Sequence, residues 1–200
     1  MPTPHSSARR SWSAAVQAAV QRGLQALLQA TCGPRLSAAL CAALLALNAP
    51  FVQAAAEVGQ PAPLFELPSD NATTLALHQL RGQVVYLDFW ASWCGPCRQS
   101  FPWMAEMHKR HAGQGLAVVA VNVDARMADA QNFLKAVPAP FRIAYDAKGQ
   151  TPREYAIKAM PTSVLIGRDG RVRQIHAGFR ASDTSALESA IVDALKEPAK

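Results

Sequence analysis

Cysteine is scarce in this sequence, and its placement narrows the chemistry that the chain can perform. Of the four cysteines, Cys32 and Cys41 lie within the first 56 residues, so only Cys94 and Cys97 occur in the rest of the chain. An oxidising compartment endangers stray thiols, and a chain that keeps one dithiol and nothing else suits a dedicated redox role there.

Acidic residues are absent from the first 56 positions, which accounts for the high isoelectric point. The only charged residues in that stretch are Arg9, Arg10, Arg22 and Arg35. From Glu57 onward, 16 Lys and Arg stand beside all 14 acids, which leaves a balance of only +2. A nucleic-acid partner would require a clustered basic face on the folded part, so composition gives it no support. The sequence also has no internal repeat.

Long apolar runs are lacking as well. The mostly apolar run Leu36–Leu47 covers twelve residues, and Asn48 and Pro50 interrupt the sequence beyond it, whereas a membrane-spanning helix needs about 20 apolar residues. Positive charge, an apolar run and a small-residue end, in that order, are typical of a signal peptide. We predict an export leader over residues 1–56, cleaved at its alanine-rich end or retained as an anchor, and one compact domain over residues 57–200.

The run Cys94-Gly95-Pro96-Cys97 is the most informative motif in the chain. It directly follows the apolar, strand-like run Val84–Trp90 and precedes a helical pattern that we predict to extend from Cys94 to about Ala112. Two cysteines three apart at a helix start bring their sulfurs within bonding reach, and the positive helix end lowers the pKa of the first thiol. Cys94 is therefore predicted to attack, and Cys97 to resolve the mixed disulfide.

Two other interpretations of this motif are disfavoured. A zinc site would use His108 and His111, but ten residues separate Cys97 from His108 and two separate the histidines, which is shorter than finger spacing. A structural disulfide around Gly-Pro would close a very small loop and stabilise little. We expect both of these histidines on the solvated outer half of the helix, and His176 in a structural role.

The remaining patterns alternate between strand and helix. Leu116–Val123 is a second continuous apolar run, typical of a strand that is covered on both faces. The other predicted elements are a short strand over Thr73–Leu77, a helix over Met127–Ala136, a strand over Phe141–Tyr145, a helix over Thr151–Ile157, a hairpin of Thr162–Gly167 with Val172–His176, and a last helix through Leu195 capped by Ser182. The order is βαβ followed by ββα.

Several motifs, in order, resemble one family. Val84–Arg98 is similar to the active-site strand, turn and helix of the thioredoxin superfamily, and about Val58 to Lys196 resembles its secreted TlpA/ResA-like branch. Gly59–Phe65, His78–Gly82 and Met160–Ile166 carry this likeness outside the active site. The resemblance implies an α/β thioredoxin fold, with a central mixed β-sheet flanked by helices, an N-terminal strand extension and an inserted helix.

The resemblance also assigns roles to residues near the dithiol. Asp88 lies within the apolar strand, where burial should raise its pKa, and the family's acid at that position takes the proton of the second cysteine. The other interpretation is a solvated aspartate at a strand end. Trp90 is expected in the core, whereas Trp93 is expected to contact partners.

The predicted substrate-binding residues surround Cys94. They are Trp93 directly before the motif and Gly95 and Pro96 within it, together with Met160 and Pro161. The resemblance implies that the Met160–Pro161 bond is cis and that it exposes a backbone edge to an extended client segment. Proline also keeps a metal-binding side chain or a third thiol away from that position.

The implied activity is that of a thiol:disulfide oxidoreductase. Gly-Pro between the cysteines resembles thioredoxin, whose potential of about −270 mV favours reduction of partner disulfides. The resemblance suggests a periplasmic or cell-envelope location, disulfide-bearing client proteins that could include those of cytochrome c maturation, a membrane-embedded thiol reductase as electron donor, and neither a cofactor nor a metal. Ser100 stands where this branch often has a glutamate.

Three alternatives to a reductant stay open at this point. A thiol oxidant or isomerase is the nearest, and a helper in copper-site assembly belongs to another class. A peroxide-reducing enzyme is least favoured, because Ala91 lies three residues before Cys94, where a peroxiredoxin has Thr or Ser.

Overall fold

The structure is a computed structural model that describes residues 55–70 and 73–198. Apart from Ala55 and Ala56, the predicted leader lies outside these residues. None of the helices within the described ranges has the length and apolar character that a membrane crossing requires.

Seven strands and four α-helices make up the described domain. The strands are β1 Glu66–Pro68, β2 Thr74–Ala76, β3 Val84–Trp90, β4 Leu116–Asn122, β5 Arg142–Tyr145, β6 Thr162–Ile166 and β7 Val172–Ala177. The α-helices are α1 Cys97–His111, α2 Met127–Ala136, α3 Gln150–Glu154 and α4 Thr184–Lys196. Short 3₁₀ turns occur at Leu77–Leu80, Ala112–Gln114 and Ala181–Asp183.

Five of the strands form a mixed sheet in the order β5-β4-β3-β6-β7. The neighbours β3 and β4, and β4 and β5, run parallel, while β6 is antiparallel to both β3 and β7. The predicted central mixed sheet is therefore confirmed. β1 and β2 pair with each other as a separate antiparallel ribbon, which corresponds to the N-terminal strand extension that the resemblance implied, although only β2 had a predicted residue range.

The central strand β3 is buried along its whole length, as its apolar sequence predicts. Because side chains alternate along a strand, Tyr86 and Trp90 pack with α1 and α4 on one face, while Leu87 and Phe89 join the core on the other. Asp88 has the same parity as Tyr86 and Trp90. This strand therefore directs an acid toward the layer that contains the dithiol.

Three helix ends differ from the prediction: the start of α1, the start of α4, and the end of α3, which lies at Glu154 and not at Ile157. Helix α1 begins at Cys97, because residues 94–96 form turns in which the Cys94 N–H donates to the Ala91 carbonyl and the Arg98 N–H to the Gly95 carbonyl. Ser182 does not cap α4: its hydroxyl donates to the Asp183 carboxylate instead, within the 3₁₀ turn that precedes the helix.

The expected solvation of His111 is also wrong, since this side chain is buried. Its Nε2 lies 3.7 Å from Oε1 of Glu188 on α4, so the last helix covers this part of α1. A pattern within α1 alone does not show where a helix about 80 residues later will pack. His176 lies 3.3 Å from the Asp183 carboxylate, a contact that ties β7 to the start of α4.

Candidate active site

The two cysteines of the motif are joined by a disulfide where the loop after β3 enters α1. Their Cα atoms are 5.4 Å apart, and the Cys97 N–H donates to Cys94 Sγ over 3.2 Å. Cys97 is fully buried and Cys94 is 3% exposed. In the reduced protein, a thiolate at Cys94 would lie before the positive end of α1 and accept a hydrogen bond there, and both effects favour its ionised form.

The surface around Cys94 is open. Trp93 is 71% exposed, and Gly95 and Pro96 are exposed as well. A Cβ added to Gly95 would meet no atom within 4 Å. These three residues, all predicted to contact clients, therefore lie where a client could reach them.

Asp88 is buried beneath this region. It is 2% exposed, its Oδ2 has no hydrogen-bond partner, and burial raises its pKa well above the ordinary range. Across the sheet it pairs with Ala120 of β4 and Ser163 of β6, neither of which carries a charge. The solvated strand-end interpretation is wrong, and the carboxyl is suited to bind a proton in a dry site.

Tyr86 and Ser163 complete the polar surroundings of Asp88. Burial and the Asp88 charge raise the pKa of the Tyr86 phenol, and a hydrogen bond with Ser163 opposes them. The phenol is thus a neutral group. No cation in the described part of the chain pairs with the Asp88 carboxylate, so nothing offsets the cost of its charge.

The bond between Met160 and Pro161 is cis, as the resemblance implied. Thr162 pairs with Phe89, so Pro161 lies at the end of β3 from which the chain continues to the dithiol. Pro161 is buried and its carbonyl accepts from the Gly178 N–H over 2.7 Å, while Met160 is half-buried against the cluster that contains both cysteines.

An acid that the sequence analysis missed supports the loop before Cys94. The buried Asp124 accepts from the N–H and the hydroxyl of Ser92, at 2.9 and 3.0 Å, and from the Asn122 side chain at 2.8 Å. Asn122 ends β4, beside the end of β3. The sequence signal for Asp124 is a pair of polar residues, Asn122 and Asp124, at the carboxyl end of a buried parallel strand.

Aromatic packing holds the base of α1. Trp90 is fully buried, as predicted, and its ring centroid lies 4.8 Å from that of Phe101 and 4.7 Å from that of Phe133. Ser100 is buried too, and its hydroxyl donates to the Cys97 carbonyl over 3.2 Å.

The described residues contain no group of three or more His, Cys, Asp or Glu that could hold a metal ion.

Comparisons with known proteins agree with this geometry. The model of the AhpC/TSA family matches residues 58–175. The thiol-disulfide oxidoreductase ResA of Bacillus subtilis is 36% identical over 120 residues, which cover 60% of this chain and 67% of that protein. ResA of Geobacillus kaustophilus is 34% identical over 124 residues, covering 62% and 71%.

Solved structures of similar fold include proteins of the same class. A Chlorobium tepidum protein assigned as the thiol:disulfide interchange protein DsbE superposes with a TM-score of 0.69 at 54% identity, covering 70% of this chain and 99% of that one. StoA from Bacillus subtilis superposes with a TM-score of 0.55 at 26% identity, covering 64% and 96%. With its Cys94–Cys97 pair in this setting, the chain is a thiol-disulfide oxidoreductase that belongs to the AhpC/TSA family of the thioredoxin superfamily.

Proposed function

We propose that this oxidoreductase reduces disulfides in client proteins of the cell envelope, with Cys94 as nucleophile, Cys97 as resolving thiol and Asp88 as proton acceptor. The observation that carries this proposal is the buried carboxyl of Asp88, whose Oδ2 has no hydrogen-bond partner, on the face of β3 that packs against the dithiol layer. Because the resolving thiol is itself fully buried, a base within the protein is better placed than bulk water to take its proton.

The first step forms a mixed disulfide. The Cys94 thiolate attacks one sulfur of the client disulfide, a new sulfur–sulfur bond forms, and the other client sulfur leaves as a thiolate that takes a proton from water. Trp93, Gly95 and Pro96 offer exposed contact surface for the client, and Met160 and Pro161 border the same site.

The second step releases the client. Asp88 takes the Cys97 proton, and the Cys97 thiolate attacks Cys94 Sγ, so that the client's remaining sulfur leaves and is protonated. The client has then gained two electrons and two protons, and the enzyme holds the Cys94–Cys97 disulfide that the structure shows. The Asp88 proton passes to solvent before the next turnover.

Renewal of the dithiol requires a further electron donor, for which we propose a membrane-embedded thiol reductase. The envelope location rests on the leader that residues 1–56 predict, with the working domain beginning near Glu57. Cytochrome c maturation is one client class within this proposal, and its clients would be haem-attachment proteins that carry a disulfide.

Covalent trapping in the native envelope tests the proposal. A Cys97→Ser variant should accumulate mixed disulfides with its clients, because the thiol that releases them is gone, whereas Cys94→Ser should capture few or none. Trapping of apocytochromes would identify cytochrome c maturation as the pathway, and a broad set of secreted disulfide proteins would indicate general reduction.

The matched pair of variants also serves as its own control, since each removes one sulfur from the same site. Equal trapping by both variants, or by neither, would refute the assigned roles. The direction of electron transfer is tested separately by equilibrating the wild-type dithiol with glutathione, which gives its reduction potential. A potential near the thioredoxin value of about −270 mV agrees with a reductant, and one near the DsbA value of about −120 mV means an oxidant.

A further inference from the structure

Three exposed cations from separate parts of the chain lie close in sequence to the dithiol or to the residues that border its site. We propose that Arg98, Lys158 and Arg180, here called the cationic rim, bind an acidic segment next to the disulfide of the client. This inference rests on the proposed function, because it names the chemistry of the client at the same site. The predicted partner is a protein whose reducible cysteine is flanked by Asp or Glu.

Arg98 is the best-defined member of the rim. It directly follows Cys97, its N–H donates to the Gly95 carbonyl, and its side chain is exposed. The guanidinium lies 4.8 Å from the ring centroid of Phe133, a cation–π contact that positions the group without neutralising its charge. An Arg held this way presents donors for a carboxylate at small entropic cost.

The other two cations flank the residues that border the site. Exposed Lys158 lies two residues before Met160. Exposed Arg180 follows Phe179, whose ring packs on Trp103 of α1, and lies two residues after Gly178, which hydrogen-bonds to Pro161. Lys158 and Arg180 thus lie within two residues of Met160 and of Gly178, which connect their segments to the site.

The acids near the site have partners of their own and form no ion pair with the rim cations. Asp124 is buried and accepts from Ser92, Asp129 pairs with Arg126, and Asp183 contacts His176. The first turn of α1 contains no acidic residue, and Ser100 in that turn is neutral. None of the three rim cations forms an ion pair within the described ranges. The positive end of α1 adds to the same potential.

Three small disulfides with the same carbon spacing test this inference on the full chain in its reduced form. Dithiodipropionate carries two negative charges, bis(2-hydroxyethyl) disulfide is neutral and cystamine carries two positive charges. Each rate of reduction is divided by the rate of the same disulfide with free dithiothreitol, which removes differences in the leaving thiol, and we expect this relative rate to fall in that order at low salt. The differences in rate among the three disulfides should disappear near 1 M salt, where the screening length is about 3 Å.

Substitution locates the effect on the rim. Arg98→Gln, Lys158→Gln and Arg180→Gln should each lower the dianion-to-neutral rate ratio by about two- to fivefold, the range typical of exposed charge pairs. Using the ratio removes any change in the reactivity of Cys94, since that change affects all three disulfides. Lys109→Gln is the matched control, because this exposed cation lies eleven residues further along α1, about 16 Å from Arg98.

The outcomes separate this inference from the proposed function. Equal rates for the three disulfides, or an equal loss of the ratio in Lys109→Gln, would overturn the rim while leaving the reductase intact. Failure to reduce even the neutral disulfide would overturn the reductase itself. Equal rates combined with rim-dependent binding to anionic lipid vesicles would show that these cations meet a membrane instead of a client.

Discussion

At the scale of single residues, Asp88 is the most informative side chain in the protein. It lies in a fully buried strand. Its cross-strand partners are the apolar Ala120 on one side and Ser163 on the other. An unpaired acid in such a place lowers the stability of the fold. Residues that lower stability in this way are concentrated at functional sites. The same carboxyl should affect both turnover and the pH dependence of stability.

The first prediction concerns turnover. Asp88→Asn keeps the shape of the side chain but removes the proton acceptor, so resolution of the mixed disulfide should slow by about 100-fold or more. Attack by Cys94 on a small disulfide should persist, which single-turnover kinetics can separate from resolution. An unchanged pH–rate profile for resolution in the variant would mean that water accepts the proton.

The second prediction concerns stability and pH. Because burial raises the pKa of Asp88 in the folded state, the folded protein binds more protons than the unfolded chain at pH values above the ordinary carboxyl pKa. This contribution to stability is therefore fully present below that ordinary pKa and is lost as pH rises toward the folded-state value.

Asp88→Asn should remove this penalty, so the variant should be more stable than the wild type at neutral pH, with a gain that shrinks toward pH 4. Urea unfolding at pH 4 and pH 8 measures both. Asp193→Asn, a change at an exposed aspartate of α4, serves as the control and should show no such trend. A gain equal at both pH values would contradict the buried-charge explanation.

At the scale of elements, the active-site loop is held by a contact between the ends of two parallel strands. Asp124 follows β4 and fixes Ser92, two residues before Cys94. Because both strands end at the same edge of the sheet, a side chain after one can support the loop after the other.

Asp124→Asn should therefore destabilise the domain by about 1–3 kcal/mol, since a buried carboxylate that accepts three hydrogen bonds is replaced by an amide that accepts fewer. Asp129→Asn is the matched control: it breaks a surface ion pair with Arg126 and should cost less than about 1 kcal/mol. Chemical denaturation compares the two, and equal losses would show that the contact with Ser92 contributes nothing particular.

At the scale of the whole molecule, the proposal makes a prediction about location. If residues 1–56 are an export leader, protein recovered from the native envelope should begin near Glu57 and lack Cys32 and Cys41. Intact-mass measurement decides between a cleaved form and one that retains the leader as an anchor. A cytoplasmic chain that keeps both cysteines would contradict export.

Cys94 and Cys97, Asp88 and the alternation of strands with helices were all readable from the sequence. Each depends on residues that are close in the chain: the spacing of two thiols, an acid within an apolar run, and the period of hydrophobic side chains. Those local patterns were sufficient for the class of fold, for the reactive sulfurs and for the burial of the acid. They misplaced the start of α1, because turn hydrogen bonds within residues 91–98 delay the helix to Cys97.

Only the tertiary structure decided which distant residues share the site. Ser163 faces Asp88 because β6 pairs with β3, Asp124 reaches Ser92 because β4 lies beside β3, and α4 buries His111. The proposed cationic rim would likewise combine three segments that no local pattern connects. Strand pairing and helix packing bring together groups separated by more than 30 residues, and the period of one segment carries no information about which other segment will cover it.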